Sequence, residues 1–553
     1  MRNKSPAVET AAITAQDYHQ RTKHSLEAYA RGPATLDWDS QPNPFRRFSG
    51  CDTVALPLAA RANTTEYADL FQPGAITPTP LSMDSMATFM ELALGLSAWK
   101  SYGPDRWALR CNPSSGNLHP TEGYLVLADD EHFPAGVYHY LSHDHLLERR
   151  CVVEQPLDEL LPNHSFLFGL SSIHWREAWK YGERAFRYCQ LDVGHAMAAV
   201  RYAAAVLGWR VHLLDGWSDA DIAACLGLDR AADFTGAESE SPDLMLLIQT
   251  QALNGAPKLD PGALVDALHQ GRWTGQGNAL NERHDVDWPL IEQAAEACAK
   301  PATPAESAQK ASLPELLAPD HLQHQSASQL IRQRRSAQAF DGVSTLSLSA
   351  FCRMLDSLLP RPHVPPLDVL PWAPRLHPVF FVHRVEGLNP GLYCLPRSDA
   401  GETLLREALN DKFQWHKPDS VPDCLPFYQL VQANCRKAAH TLSCHQAIAA
   451  DSAFAVAMLA EFEAPLQEGD WVYRQLFWEA GVLGQSLYLE AEAAGVRGTG
   501  IGCYFDDKAH EILGLQGQGQ GLQDLYHFTV GTPQIDNRLV SLPPYSHLEA
   551  RNP

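Results

Sequence analysis

Part of this chain repeats without a gap at an offset of 287 residues. Nine identities carry the repeat: Arg187, Gly194, Ala204, Gly208, Arg210, Asp219, Leu226, Gly227 and Leu228 return as Arg474, Gly481, Ala491, Gly495, Arg497, Asp506, Leu513, Gly514 and Leu515. Phe186 returns as the aromatic Tyr473. A match this long without an insertion implies two related domains. At 553 residues the chain is in any case too long for one core. The two halves have kept different things. The first holds Pro113-Ser114-Ser115-Gly116 and Lys180-Tyr181, and the second holds Arg334-Arg335-Ser336 and Gly498-Thr499-Gly500-Ile501-Gly502. Complementary losses imply that two domains build one shared site.

Residues 299–326 are rich in Pro, Ala, Ser and Gln and read as a linker, with a short helix expected around 313–317. Domain one is therefore expected at 15–297, the linker at 298–325 and domain two at 326–553. A helix is predicted over 192–207, because Val193, Met197, Val200, Ala204 and Leu207 share one face and Gly208 follows as a C′ glycine. In the second half the stripe is Ala480, Gly484, Leu487, Ala491 and Ala494, small residues that let another backbone approach, closed by Gly495. A second helix ends at Leu226-Gly227-Leu228 or Leu513-Gly514-Leu515, and a buried strand follows at 244–248 or 527–530. Further strands are expected at 124–127 and 379–382, each after a Leu-His-Pro at 118–120 or 376–378. Helices interleaved with a few strands give the α+β class.

With 43 Lys and Arg against 65 Asp and Glu, the formal charge of −22 excludes a nucleic-acid binder, which needs a basic face. No run approaches ~18 apolar residues, so no membrane span is expected. The start, Met1-Arg2-Asn3-Lys4-Ser5-Pro6, leads into polar sequence without a signal-peptide core. Twelve scattered cysteines fit reduced thiols and a cytoplasmic location. Cys435, His440, Cys444 and His445 raise a metal hypothesis, but their spacing matches no common zinc pattern. They are read as packed or helix-lining residues, and no metal is expected.

In the stretch from Arg110 to Pro120, Pro113 and Gly116 bend the backbone while Ser114, Ser115 and Asn117 offer hydrogen bonds to a planar polar ligand. On this segment alone a capped turn before a strand is the commoner reading. Arg334, Arg335 and Ser336 suit a phosphate or a carbonyl-rich ring edge, or a solvated helix end. Gly500 and Gly502 would let backbone N–H groups approach a ligand. Arg538, beyond the last strand, suits a phosphate or plain surface.

As a set these residues resemble the FMN-dependent nitroreductase superfamily. The resemblance rests on Arg-x-Ser near a domain start, Pro-Ser-Ser-Gly with a downstream Pro, and Gly-x-Arg closing a central helix. The glycine loop and the segment from Phe505-Asp506-Asp507 to Leu513-Gly514-Leu515 complete it. It implies two domains, each a central mixed sheet flanked by helices, fused as an intramolecular pseudo-dimer around FMN. By that resemblance domain two supplies Arg334, Ser336, Gln338, Gly500, Ile501, Gly502 and Arg538, and domain one supplies Pro113, Ser114, Ser115 and Asn117. Gln338 stands where the family often has a basic residue, which weakens that contact. The mirror site is expected to be broken, since Leu213, Leu214 and Asp215 align with Gly500 to Gly502 and Ala373-Pro374-Arg375 precedes the second Leu-His-Pro.

The run Trp175 to Tyr188, with Gly194-His195 downstream, is similar to the Lys-Tyr signature of SagB-type thiazoline/oxazoline dehydrogenases. The resemblance implies that Lys180 and Tyr181 assist proton removal while hydride passes to flavin N5. On the residues alone, Lys180 reads as a snorkelling surface lysine and Tyr181 as a packing ring. A lysine near pKa ~10.4 is a poor base, so burial or a cationic neighbour (Arg176, Arg184 and Arg187 are at hand) must depress it. In the second half Gln467 and Glu468 stand at these positions. The expected activity is two-electron oxidation of a small-molecule or peptide-derived substrate such as an azoline. Electrons would leave to O2 or another acceptor, and biosynthetic partner enzymes are compatible with it. Two alternatives stay open: an NAD(P)H-dependent nitro- or quinone reductase, and a non-catalytic subunit of a modification complex. Substrate shape is expected to depend on residues 76–96 and 350–374.

Overall fold

A computed structural model describes residues 13–251, 259–284, 286–306, 313–515 and 521–549. The reading of Met1 to Pro6 and the middle of the expected linker, 307–312, lie outside them.

Each half is built on its own sheet, and the two sheets share a strand order. In the first, Gly136–Leu141, Thr121–Leu127, Ser165–Ser172, Ser241–Gln249 and Arg210–Leu213 lie side by side in that order. In the second, Gly391–Cys394, Leu376–Val382, Phe454–Glu461, Leu522–Gly531 and Arg497–Ile501 repeat it. The central strands Thr121–Leu127 and Leu376–Val382 are buried at every position. Strands covered on both faces read as continuous apolar runs, which is why their cores were visible as such. Contrary to the expected mixed sheet, every ladder between named strands is antiparallel. Apolar runs report burial, not strand direction.

Two helices of 22 residues, Ala185–Val206 and Val472–Ala493, run through the centre. The first is buried along its whole length, as a helix packed on all sides must be. They begin well before the 192–207 expected for the first, because Arg187 and Tyr188 are buried by polar partners that an apolar stripe does not reveal. The helices cross at equivalent glycines. A Cβ on Gly194 would lie 2.9 Å from the Gly481 Cα, and one on Gly481 would lie 2.8 Å from the Gly194 Cα. Any side chain here would separate the halves. The repeat also pairs with itself: Arg187 of the first half bonds Asp506 of the second at 2.7 Å, and Arg474 of the second bonds Asp219 of the first at 2.7 Å. The equivalent rings of Phe186 and Tyr473 lie within 3° of parallel. Four of the repeated residues thus form two pseudo-symmetric ion pairs across the interface.

The first and last described segments cross over as well. Helix Ala15–Arg21 carries His19 onto Tyr473 and Gln523 of the second half. Strand Val540–Leu542 pairs with Leu96–Tyr102 of the first half, whose hairpin partner is Asp105–Arg110. A cut at 326 therefore does not separate two self-contained bodies. Residues 313–317 form no helix and carry no regular secondary structure. Leu313, Leu316 and Leu317 pack on the core, and the Leu317 N–H donates to Asp356 while its carbonyl accepts from Arg353. Tertiary partners replace the local turn. No helix among the described residues is long and apolar enough to cross a membrane.

Candidate functional site

Pro113 and the short turn Ser115–Asn117 leave the Asp105–Arg110 hairpin and lead into strand Thr121–Leu127. Gly116 sits at φ 57°, a conformation that disfavours a side chain. The turn is pinned to the first long helix: Asp192 accepts from the Ser115 N–H at 3.0 Å and from its hydroxyl at 2.9 Å. The Asn117 amide donates to the Ala108 carbonyl at 2.8 Å. Lys180 and Tyr181 end helix His174–Tyr181 directly over the turn. A Cβ on Gly116 would lie 2.5 Å from the Tyr181 hydroxyl and 3.2 Å from Lys180 Nζ. These are the tips of movable side chains, so it is the positive φ that favours glycine here, and the short distances record how closely Lys180 and Tyr181 overhang the turn.

The second half closes the other side. Arg334 follows helix Ala327–Gln333 and reaches into the first half, where Nε donates to the Cys111 carbonyl at 3.2 Å and Nη2 to the Arg110 carbonyl at 3.3 Å. Its Nη1 is buried without a partner among the described residues. Ser336 shares a 2.8 Å hydrogen bond with the Tyr488 hydroxyl, which also accepts from the Gly500 N–H at 3.0 Å. The Ala337 N–H donates to the Gly498 carbonyl, and the Thr499 hydroxyl donates to the Ala337 carbonyl. These bonds lay the segment around Ser336 along strand Arg497–Ile501.

Between the two sets lies a cavity of about 590 Å³. Pro113, Ser114, Ser115, Asn117 and Tyr181 line it from the first half, and Arg334, Ser336, Gln338, Gly500, Ile501 and Gly502 from the second. Lys180 stands at its edge, beside Gly116. Arg538 is not on the wall: its side chain is 72% exposed and forms a bidentate pair with Asp536. Lys100, Arg335 and Arg497 supply the basic wall instead. Proximity to the last strand in sequence did not bring Arg538 inward, whereas the swapped strand Val540–Leu542 brought the Lys100 hairpin across. Residues 76–96 and 350–374 contribute no lining side chain; helices Met83–Ala93 and Leu348–Ser357 pack into the core instead. Trp107, Leu109 and residues 533–536 take that place.

Sequence reading missed two acids here. Asp192 lines the cavity, and burial pushes its carboxyl up to about 7 against the lowering bonds from Ser114 and Ser115. Glu177 is fully buried, and neither of its oxygens meets hydrogen-bond geometry among the described residues, although the Ser114 hydroxyl is near enough to favour its charged form. Burial, then the charge of Asp192, holds it well above the usual carboxylate range. For Asp192 the available signal was a lone acid amid largely apolar helix sequence; Glu177, between Arg176 and Lys180, gave none. Burial also lowers Lys180, with Glu177 opposing. The three arginines are not the cause: Arg176 is paired with Glu122, and Arg184 and Arg187 with Asp506. Tyr181 is raised well above the usual phenol range by burial and then by Glu177, so it stays protonated.

The mirror position is filled. Asp215 accepts from the Glu306 N–H at 2.6 Å, the Thr303 N–H donates to the Gly216 carbonyl, and Lys300 Nζ donates to the Thr303 hydroxyl. Arg375 spans the remaining space to Glu468 at 3.0 Å.

No protein-family model matches the chain, and no curated protein sequence matches it. Solved structures do. A protein assigned to the nitroreductases from Anabaena variabilis superposes with a TM-score of 0.67 at 22% identity, covering 94% of this chain and 99% of that one. Both halves of this chain align in that one superposition. Its described fold is therefore the nitroreductase fold, present as two fused copies. A protein assigned to the nitroreductases from Ralstonia eutropha aligns at 15% identity with a TM-score of 0.27, over 40% of this chain and 98% of that chain. The E. coli microcin synthetase McbBCD, in complex with truncated pro-MccB17, aligns at 19% identity with a TM-score of 0.26, over 46% of this chain and 85% of that chain.

Proposed function

We propose that the protein is an FMN-dependent oxidoreductase of the SagB dehydrogenase type, which removes two electrons from an organic substrate such as an azoline or another peptide-derived intermediate. The observation that carries this reading is the single cavity in which the surviving motifs of both halves meet.

Its donor set fits the cofactor. Arg334 offers a buried guanidinium nitrogen without a partner among the described residues, Ser336 and Gln338 offer hydrogen bonds, and Lys100, Arg335 and Arg497 offer charge for a phosphate. The turn Pro113 to Asn117 would close over it from the other half. A volume of about 590 Å³ lies within the range of cofactor pockets. Bound there, the flavin would supply the two-electron acceptor, and the protein supplies positioning and proton control.

Lys180, Tyr181, Glu177 and Asp192 handle protons. Lys180 is biased toward its neutral form by burial, so it can take a proton from substrate at the Gly116 edge. Tyr181 keeps its hydroxyl proton as a donor. Asp192 can hold or release a proton near neutrality.

Lys180→Ala should leave flavin content at one per chain while lowering substrate oxidation by roughly 10²–10⁴, the scale of a lost acid–base group. Lys180→Arg should not rescue, since a guanidinium stays charged. Absorbance of the purified protein, with rates compared at equal flavin loading, is the measurement. Undiminished activity in Lys180→Ala, with bound flavin bleached directly by NAD(P)H, would replace this reading with a simple reductase.

A further inference from the structure

Four of the twelve cysteines are not buried: Cys51, Cys424, Cys444 and Cys503. Two of these meet. Cys444 Sγ and Cys503 Sγ lie 2.7 Å apart although they are 59 residues apart in sequence. Cys503 follows the glycine strand directly and lines the cavity. Cys444 lies between helices Arg436–Leu442 and Ala447–Asp451, in a reversal that holds Cys444 at φ 50° and His445 at φ 57°. Non-glycine residues at such angles are uncommon and cost free energy, so surrounding contacts must enforce them. Here the enforced turn delivers the sulfur to its partner. The adjacent Gln446 amide donates to the Cys503 carbonyl at 3.3 Å, tying the same two segments.

We propose that Cys503 and Cys444 form a redox-active dithiol at the cavity wall that exchanges with disulfides, Cys503 as the attacking thiol and Cys444 as the resolving one. The surroundings distinguish the two sulfurs. The Cys444 thiol, then His24 and Arg184, hold Cys503 well below the ordinary thiol range against the upward push of burial. Cys444 is correspondingly held far above it. The His24 Nδ1 accepts from the Ala30 N–H at 2.8 Å, which leaves the ring proton on the other nitrogen. A partly exposed sulfur that receives hydrogen bonds from its neighbours in this way is the kind of site at which cysteines react.

The exchange balances without a further reagent. The Cys503 thiolate attacks one sulfur of a small disulfide, a mixed disulfide forms, and one thiolate leaves. Cys444 then loses its proton and attacks Cys503 Sγ, closing the Cys444–Cys503 disulfide and releasing the second thiol. Two electrons pass from the protein dithiol to the small disulfide. The closed bond would fasten the Cys444 turn to the end of strand Arg497–Ile501. None of these steps needs a flavin, so this site stands or falls independently of the function proposed above.

The test treats the reduced full-length protein with glutathione disulfide, quenches with an alkylating agent and maps all cysteines by mass spectrometry. Cys503 should react at least about 10-fold faster than exposed Cys424, ending as a Cys444–Cys503 link. Cys444→Ser should accumulate glutathione on Cys503, and Cys503→Ser should leave Cys444 unmodified. Cys444→Ala repeats the trapping if the serine variant melts below wild type. Reaction at Cys503 no faster than at Cys424, or glutathione trapped on Cys444 instead, would overturn the proposal.

Discussion

Asp192 and Glu479 occupy equivalent positions, 287 residues apart, on the two central helices. Both anchor the turn that precedes a Leu-His-Pro: Asp192 holds the Ser115 N–H, and Glu479 holds those of Arg375 and Leu376. Beyond that they differ. Glu479 is fully buried, paired with Arg397 and bonded by the Trp372 indole. Asp192 has no cation paired with it among the described residues, lines the cavity and is pushed up to about 7. One scaffold thus yields a neutralised structural acid on one side and a proton-holding wall on the other. The difference lies in what fills the space: Arg375 and residues 300–306 on the mirror side, open volume on the other.

The interface beneath both sites offers the largest test of this near-symmetry. Asp506 is wholly buried and bonded by Arg187 and Arg184, whereas Asp219 is 14% exposed at its side chain and serves Arg474 and the Lys300 N–H. Breaking a buried pair costs about 3–5 kcal/mol. Asp506→Asn should fall in that range by denaturant unfolding, and Asp219→Asn clearly below it. Equal losses would show that the halves are more alike than their burial implies. Burial raises Asp506, but Arg184 and Arg187 lower it further, to below the usual carboxylate range. Its share of stability is therefore present above about pH 4 and lost as pH falls through the folded value.

Next in size is Arg334→Ala. Charge-assisted hydrogen bonds contribute about 1.5–3 kcal/mol, so FMN affinity should weaken by roughly 10- to 100-fold in a fluorescence titration. Arg397→Ala, on the mirror side, should lower stability and leave the FMN dissociation constant within about 2-fold once folded protein is compared. A flavin affinity that tracks Arg397 as closely as Arg334 would end the distinction between the two sides.

The last test concerns Asp192 itself and is read from a slope with pH. Its folded value, about 7, lies above the unfolded one near 3.9, so the folded state holds the extra proton. Stability should fall as pH rises between about 4 and about 7 and level off above. Asp192→Asn should show a shallower decline in melting temperature across that window. An identical slope in the variant would assign the pH dependence to other buried acids, Glu177 and Asp243 among them.

Much of this was legible in the chain. The repeat announced two copies, the apolar runs marked the central strands, and the glycines after Leu207 and Ala494 closed the long helices where expected, because local periodicity and backbone freedom act over a few residues. The complementary motifs pointed to one shared cavity, and Pro113 to Asn117 do face Arg334, Ser336 and Gly500 across it. Other features depended on partners far away in sequence. The antiparallel ladders, the non-helical segment at 313–317, the outward turn of Arg538 and the contact of Cys444 with Cys503 all follow from which segments lie adjacent in space. So do the shifts of Asp192 and Glu177, since a carboxyl's proton affinity is set by the water it loses and the charges it meets. The sequence by itself determined the duplication, the element types and the set of groups available for chemistry. The lost motifs also marked which copy keeps an open site; only the tertiary structure decided what fills the other, residues 300–306 and Arg375, because no local pattern encodes where a linker and an arginine finally lie.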